Sequence, residues 1–152
     1  MLFRSLNLSS GAWTVEAWIY VTGGTYYRDI VSKRVVSSAT SEYTFSVSNT
    51  SNLAFYRTGG TLQGSTTVPT NTWVHAAFTY DGTTCRIFQN GVLVASQAGF
   101  TANSGSNSVV IGNYAAGMDE PFIGYISNLR VVKGSAVYTS NFTPSKIGRA
   151  HV

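Results

Sequence analysis

Two turn dipeptides, Asp81-Gly82 and Asn90-Gly91, divide residues 73–96 (WVHAAFTYDGTTCRIFQNGVLVAS) into three short segments and leave them few ways to fold. Both pairs tolerate positive φ, and Asn-Gly is the preferred centre of a two-residue type I′ hairpin turn. Each segment alternates with period two. Val74, Ala76, Phe78 and Tyr80 share one face, with Trp73, His75, Ala77 and Thr79 on the other. On the return segment Cys85 and Ile87 oppose Arg86 and Phe88, and residues 92–95 complete a three-stranded antiparallel meander. The class that follows is all-β.

The same period recurs along the chain. Residues 13–21 (WTVEAWIYV) carry bulk on both faces, which predicts a strand central in its sheet; residues 29–34, 42–48 and 53–57 predict three more. Gly59-Gly60 opens a loop leading to the meander, residues 108–112 are a strand, and residues 122–133 (FIGYISNLRVVK) are the last. The apolar positions of that last segment change parity, which predicts a bulge near Gly124. No segment carries a helical apolar period. Nine or more short strands with turn signals every ~8–12 residues predict a sandwich or barrel, and 152 residues make one domain.

Composition narrows the setting. Charged residues are 11% of the chain, well under the usual quarter, so Ser, Thr, Asn and Gly must solubilise the surface, as in extracellular β-modules. Cys85 is the only cysteine, which excludes an internal disulfide and any cysteine metal motif. The net charge is +4, but the cations are scattered and Lys33-Arg34 is the only adjacent pair, so no nucleic-acid surface is expected. No apolar run approaches the ~18 residues of a membrane span, and residues 1–4 lack the apolar core of a signal peptide.

The succession WTVEAWIY, IVSKR, YTFSVS, LAFYR, the 73–96 meander, SVVIGN and FIGYISNLRVVKG resembles the laminin-G-like, concanavalin A-like jelly-roll domains over residues 6–144. The resemblance implies a two-sheet antiparallel jelly-roll sandwich that binds glycans or protein partners without catalysis. The ending, residues 129–144 (LRVVKGSAVYTSNFTP), resembles versions in phage tail and bacterial surface proteins, which implies a virion or extracellular, cell-surface location. Two departures stand out. The family's opening strand, ahead of LNLSS, has no counterpart here, so residues 1–145 read as a domain truncated at its start, with an exposed sheet edge. Residues 146–152 (KIGRAHV) read as a translated sequencing adapter rather than native chain; the alternative is a native tail. Without Lys146 and Arg149 the ten cations fall to eight against six acids, a net charge of +2.

Catalysis finds little support. Glycoside hydrolysis needs two carboxylates ~5–9.5 Å apart, and the six acids, Glu16, Asp29, Glu42, Asp81, Asp119 and Glu120, do not alternate along any strand. Glu16 reads as a paired structural acid and Asp81 as a turn residue. His75 and Cys85 fall on opposite faces of their hairpin. The resemblance implies that calcium, if held, sits at the sandwich rim; Asp119 and Glu120, with Asn113, are the candidate ligands, and a solvated acidic pair is the plainer reading. Sugar recognition needs aromatic faces and planar polar groups. Tyr26, Tyr27, Tyr114 and Phe122, with Arg57 and Asn113, are the candidates; the competing reading folds these loop aromatics over the sandwich ends. Trp13, Trp18 and Trp73 read as core or sheet-face packing. The expected function is a non-catalytic carbohydrate-binding or adhesion module, partnered by a cell-surface glycan. The alternative is a purely structural module packed against neighbouring protein domains.

Overall fold

The alternating segments become strands that end where their turn residues stand. The computed structural model describes residues 6–35, 41–115 and 120–146. Its strands are β1 (Trp13–Val21), β2 (Arg28–Lys33), β3 (Tyr43–Val47), β4 (Asn52–Arg57), β5 (Gly60–Thr67), β6 (Trp73–Tyr80), β7 (Thr84–Gln89), β8 (Val92–Ala98), β9 (Val110–Ile111) and β10 (Gly124–Lys133). They form two five-stranded sheets, ordered β10-β1-β6-β7-β8 and β5-β4-β3-β2-β9. Every strand pair is antiparallel, as the jelly-roll expectation requires. No helix is long and apolar enough to cross a membrane among the described residues.

The core is the sum of the inward faces. β1 gives Trp13, Val15, Ala17 and Ile19, β6 gives Val74, Ala76 and Phe78, and β7 gives Cys85 and Ile87; Tyr43, Phe45, Val47, Leu53 and Phe55 oppose them from the second sheet. Both predicted turns form. Asp81 Oδ1 accepts from the backbone N–H of Thr83 (2.9 Å) and Thr84 (2.8 Å), with Gly82 at φ 98°. Asn90 and Gly91 both have positive φ, 52° and 79°, as a type I′ turn demands. A Cβ at Gly91 would also strike the Phe142 carbonyl, so two constraints select glycine there.

Three expectations need correction. The stretch after Gly59 is a strand rather than a loop: β5 pairs with β4 through Arg57↔Gly60 and Tyr56↔Thr61. It escapes a hydrophobic-period reading because only Leu62 and Gly64 face inward. The strand over residues 108–112 contracts to β9, which pairs only with β2. The bulge of β10 lies opposite Ala17, between Ser127 and Arg130, with Asn128 at φ 53°; Gly124 pairs regularly with Val21. Asp119 and residues 147–152 lie outside the described residues.

The segment after β10 straps the outer face of the first sheet. Val137 N donates to Thr14 Oγ1 (2.8 Å), Thr79 Oγ1 to the Tyr138 carbonyl (2.9 Å), Phe142 N to the Gly91 carbonyl (2.9 Å) and Trp18 Nε1 to the Ser145 carbonyl (3.1 Å). Tyr138 and Phe142 stack at 3.5 Å, and Phe142 packs edge-on against His75 and Phe88.

Candidate functional site

Side chains on the outward positions of the second sheet line a cleft of about 290 Å³. Strand register assembles its base: Thr44 of β3 pairs with Tyr56 of β4, which pairs with Thr61 of β5. Three residues from three strands thus stand in one row, pointing away from the core because Phe45 and Phe55 point into it. Arg57, Gly59 and Gly60 continue one wall around the β4–β5 turn, while Tyr27, Arg34 and Glu120 form the other.

Contacts behind the walls hold these groups in place. Arg34 pairs with Glu120 and lies 3.2 Å from Asp29 Oδ2, with its guanidinium 4.0 Å from the centre of the Tyr114 ring. Tyr27 meets Tyr56 edge-on at 5.2 Å and Tyr26 at 5.0 Å. Burial first, and then the bonded Tyr27 hydroxyl, hold the Tyr56 phenol above its ordinary pKa, so it remains a neutral donor and acceptor. Arg57 stacks over Phe100 at 4.3 Å and donates to the Thr58 carbonyl. Two lining hydroxyls are less well served. Thr44 (2% exposed) and Ser41 (4%) are buried, and neither Thr44 Oγ1 nor Ser41 Oγ has a hydrogen-bond partner among the described residues. Such groups are rare inside folded proteins unless a water or a ligand meets them.

Of the six loop candidates, Tyr27 and Arg57 line the cleft. Tyr114 supports it from behind through Arg34, and Tyr26, 57% exposed, stands beside Tyr27. Asn113 and Phe122 serve the fold: Asn113 accepts from Tyr114 N and Ser32 Oγ, and Phe122 packs against the core. Arg34, Thr44, Tyr56 and Thr61 were not singled out from the sequence, and only the register reveals three of them. Of the calcium candidates, Asp119 lies outside the described residues and the other two have protein partners. Glu120 is engaged by Arg34, Asn113 Oδ1 by its neighbour's N–H, and no cluster of three metal-binding side chains occurs among the described residues.

The remaining described acids are paired. Asp81 Oδ2 lies 2.6 Å from Arg86 Nη1, and Glu42 pairs with Lys33. Glu16, on the strapped face, binds Arg130 (Nε 2.5 Å), stands 3.1 Å from His75 Nε2 and accepts from the Tyr138 hydroxyl. Burial alone would raise the pKa of Glu16, but the bonds from His75, Tyr138 and Arg130 outweigh it and bring it to about 2, from 4.5. A depressed carboxylate pKa adds stability that is present above the unfolded value and lost as pH falls through the folded one. Glu16 should therefore contribute about 2–3 kcal/mol at neutral pH. The stability gap between the wild type and Glu16→Gln should close as pH falls from about 4.5 to 2 in urea titrations; a gap independent of pH would contradict the assignment. Cys85 faces the core, away from His75, and burial pushes its thiol up to about 12, so it is no nucleophile.

Comparison with known proteins places this architecture. A family model described as the Concanavalin A-like lectin/glucanases superfamily matches residues 1–137. Similar solved structures include a candidate carbohydrate-binding protein from Bacteroides ovatus, with TM-score 0.68 and 24% identity, covering 82% of this chain and 37% of that one. Domain 4 of AbnA, a GH43 extracellular arabinanase from Geobacillus stearothermophilus solved with arabinotriose, gives 0.63 and 23%, over 84% and 63% of the two chains. The CBM40 of the Ruminococcus gnavus IT-sialidase, solved with α2,3-sialyllactose, gives 0.71 and 15%, over 86% and 79%. The chain therefore spans little more than a third of the first and under two thirds of the second. At these identities the likeness is one of fold. No curated protein matches the chain at a significant level.

Proposed function

The chain belongs to the Concanavalin A-like lectin/glucanases superfamily, and we propose that it acts there as a non-catalytic carbohydrate-binding module whose sugar site is the cleft between Tyr27, Tyr56 and Arg57. The observation that carries this reading is the cleft itself, which sets Tyr27 and Tyr56 beside the Arg57 guanidinium. A sugar presents C–H faces to aromatic rings, and hydroxyls that both donate and accept to planar polar groups. Tyr27 offers a ring for C–H stacking, Arg57 a fork of donors, and Glu120 an acceptor. Hydrolysis does not suit the same walls. Among the described lining residues Glu120 is the only carboxylate, and Arg34 engages it, whereas cleavage needs two free acids. Carbohydrate ligands in two of the similar structures lend weight to the reading. The setting that the sequence ending suggests, adhesion by a phage tail or bacterial surface protein, is consistent with it.

The test is an array of neutral and acidic oligosaccharides probed with the full chain, followed by titration of the hits. Tyr27→Ala should weaken binding at least tenfold, about 1.4 kcal/mol, with an unchanged melting temperature. A folded chain that binds no sugar, or a Tyr27→Ala variant that binds as well as the parent, contradicts the assignment. The first of those results would leave a module that only packs against neighbouring protein domains.

A further inference from the structure

The strap covers only part of the outer face of the first sheet. It bonds to Thr14, Thr79, Gly91 and Trp18, and beyond Trp18 the outward positions are uncovered. Three aromatic side chains stand there on three adjacent strands. Tyr20 of β1 pairs with Trp73 of β6 on one side and Tyr125 of β10 on the other. The Tyr20 ring lies 5.4 Å from Trp73 and 5.9 Å from Tyr125. With strands ~4.8 Å apart, Trp73 and Tyr125 are about 10 Å apart across β1. Thr22 and Asn71 complete a shallow hollow of about 490 Å³.

Core packing does not account for Tyr125, which is 63% exposed. Its chemistry also differs from that of the cleft. No cation or carboxylate is among its described lining residues, whereas two arginines and a glutamate line the other. Aromatic faces with a hydroxyl and an amide at their edge, and no fixed charge, match a ligand that presents C–H faces and neutral hydroxyls. We infer that Tyr20, Trp73 and Tyr125 form a second, separate binding surface for an uncharged polysaccharide chain. The inference rests on the reading of this chain as a carbohydrate-binding module but not on the cleft as its site.

The experiment is affinity electrophoresis of the full chain through gels containing dextran, arabinan or a mixed-linkage β-glucan, with alginate as the acidic comparison. At least one neutral polymer should retard the wild type more strongly than alginate. Tyr125→Ala and Trp73→Ala should each raise the apparent dissociation constant at least fivefold, and retardation should persist in Tyr27→Ala. Tyr125→Ala guards against misfolding as the cause, since its exposed ring can be removed without opening the core. Three results overturn the inference. One is no retardation by any neutral polymer, which leaves array hits at the cleft standing. Another is retardation lost in Tyr27→Ala but intact in Tyr125→Ala, which assigns the polymer to the cleft alone. The third is a sedimentation change from dimer to monomer in Tyr125→Ala without change in retardation, which assigns the face to a second copy. Loss in Tyr125→Ala alone, with Tyr27→Ala unaffected, supports this surface and removes the cleft as the polymer's site.

Discussion

Replacing Phe45 with alanine should lower the unfolding free energy by about 3–5 kcal/mol, the range for a fully buried phenylalanine. Phe45 is the ring through which the two sheets meet. It extends from β3 and contacts Phe55 of its own sheet at 4.8 Å, and Phe78 and Trp13 of the opposite sheet at 4.7 and 5.6 Å. All four are essentially inaccessible to solvent. Truncation therefore removes buried apolar area and opens a cavity whose walls include Trp13, Tyr43, Phe55 and Phe78, strand residues fixed by backbone pairing, so collapse is limited. A domain of this size has roughly 5–15 kcal/mol of total stability, so the variant should be close to the folding threshold. Urea unfolding should show a lower midpoint with an unchanged slope. Tyr125→Ala, on the exposed face, should stay within about 0.5 kcal/mol of the wild type. A loss below about 1 kcal/mol for Phe45→Ala would contradict the placement of this ring at the sheet–sheet contact.

A second large effect is expected at the rim. Lys33 is 1% exposed and Glu42 3% exposed, and the two form an ion pair there. Lys33 Nζ also donates to Asn7 Oδ1 and to the Gly105 carbonyl, while Glu42 Oε1 accepts from Asn107 N at 2.9 Å. The pair thereby fastens the segment before β1 and the loop before β9 to the second sheet. Removing one partner strands the other charge in a poorly solvated site. Lys33→Met should cost about 3–5 kcal/mol, and Lys33→Met combined with Glu42→Leu should recover part of that, because no charge is left buried although Asn7, Gly105 and Asn107 each lose a partner. The double-mutant cycle in urea decides. Additive losses in the double variant would mean that the two residues act independently, contrary to the geometry.

The sequence was most informative where turn chemistry and alternation agreed. Trp73–Tyr80 and Trp13–Val21 emerged with the bounds that the structure gives them, because Asp81-Gly82, Asn90-Gly91 and a strict period of two leave no competing register. β5 was hidden because its outward residues are polar and Gly64 replaces an inward side chain, against which Val94 packs closely. The cleft was half legible. Loop position marked Tyr27 and its planar polar group marked Arg57, but Thr44, Tyr56 and Thr61 are ordinary outward strand residues until the pairing of β3, β4 and β5 aligns them. Long-range partners were beyond reach as well: Arg34 and Glu120 are 86 residues apart, and Glu16 and Arg130 are 114 apart. The tryptophans divide between core and sheet face as strand parity directs. Trp13 is wholly buried in the core, whereas Trp73, on the opposite parity, is half-buried beside Tyr20 on the outer face.

The central claim is that sugar binds in the cleft of the second sheet. Two-dimensional amide NMR of the full chain, titrated with the tightest-binding oligosaccharide from the array, tests it residue by residue. The account predicts saturable shift changes at Tyr27, Thr44, Tyr56, Arg57 and Thr61, the residues that line the cleft. Those five amides unmoved at saturation, with changes elsewhere on the sandwich, would contradict it.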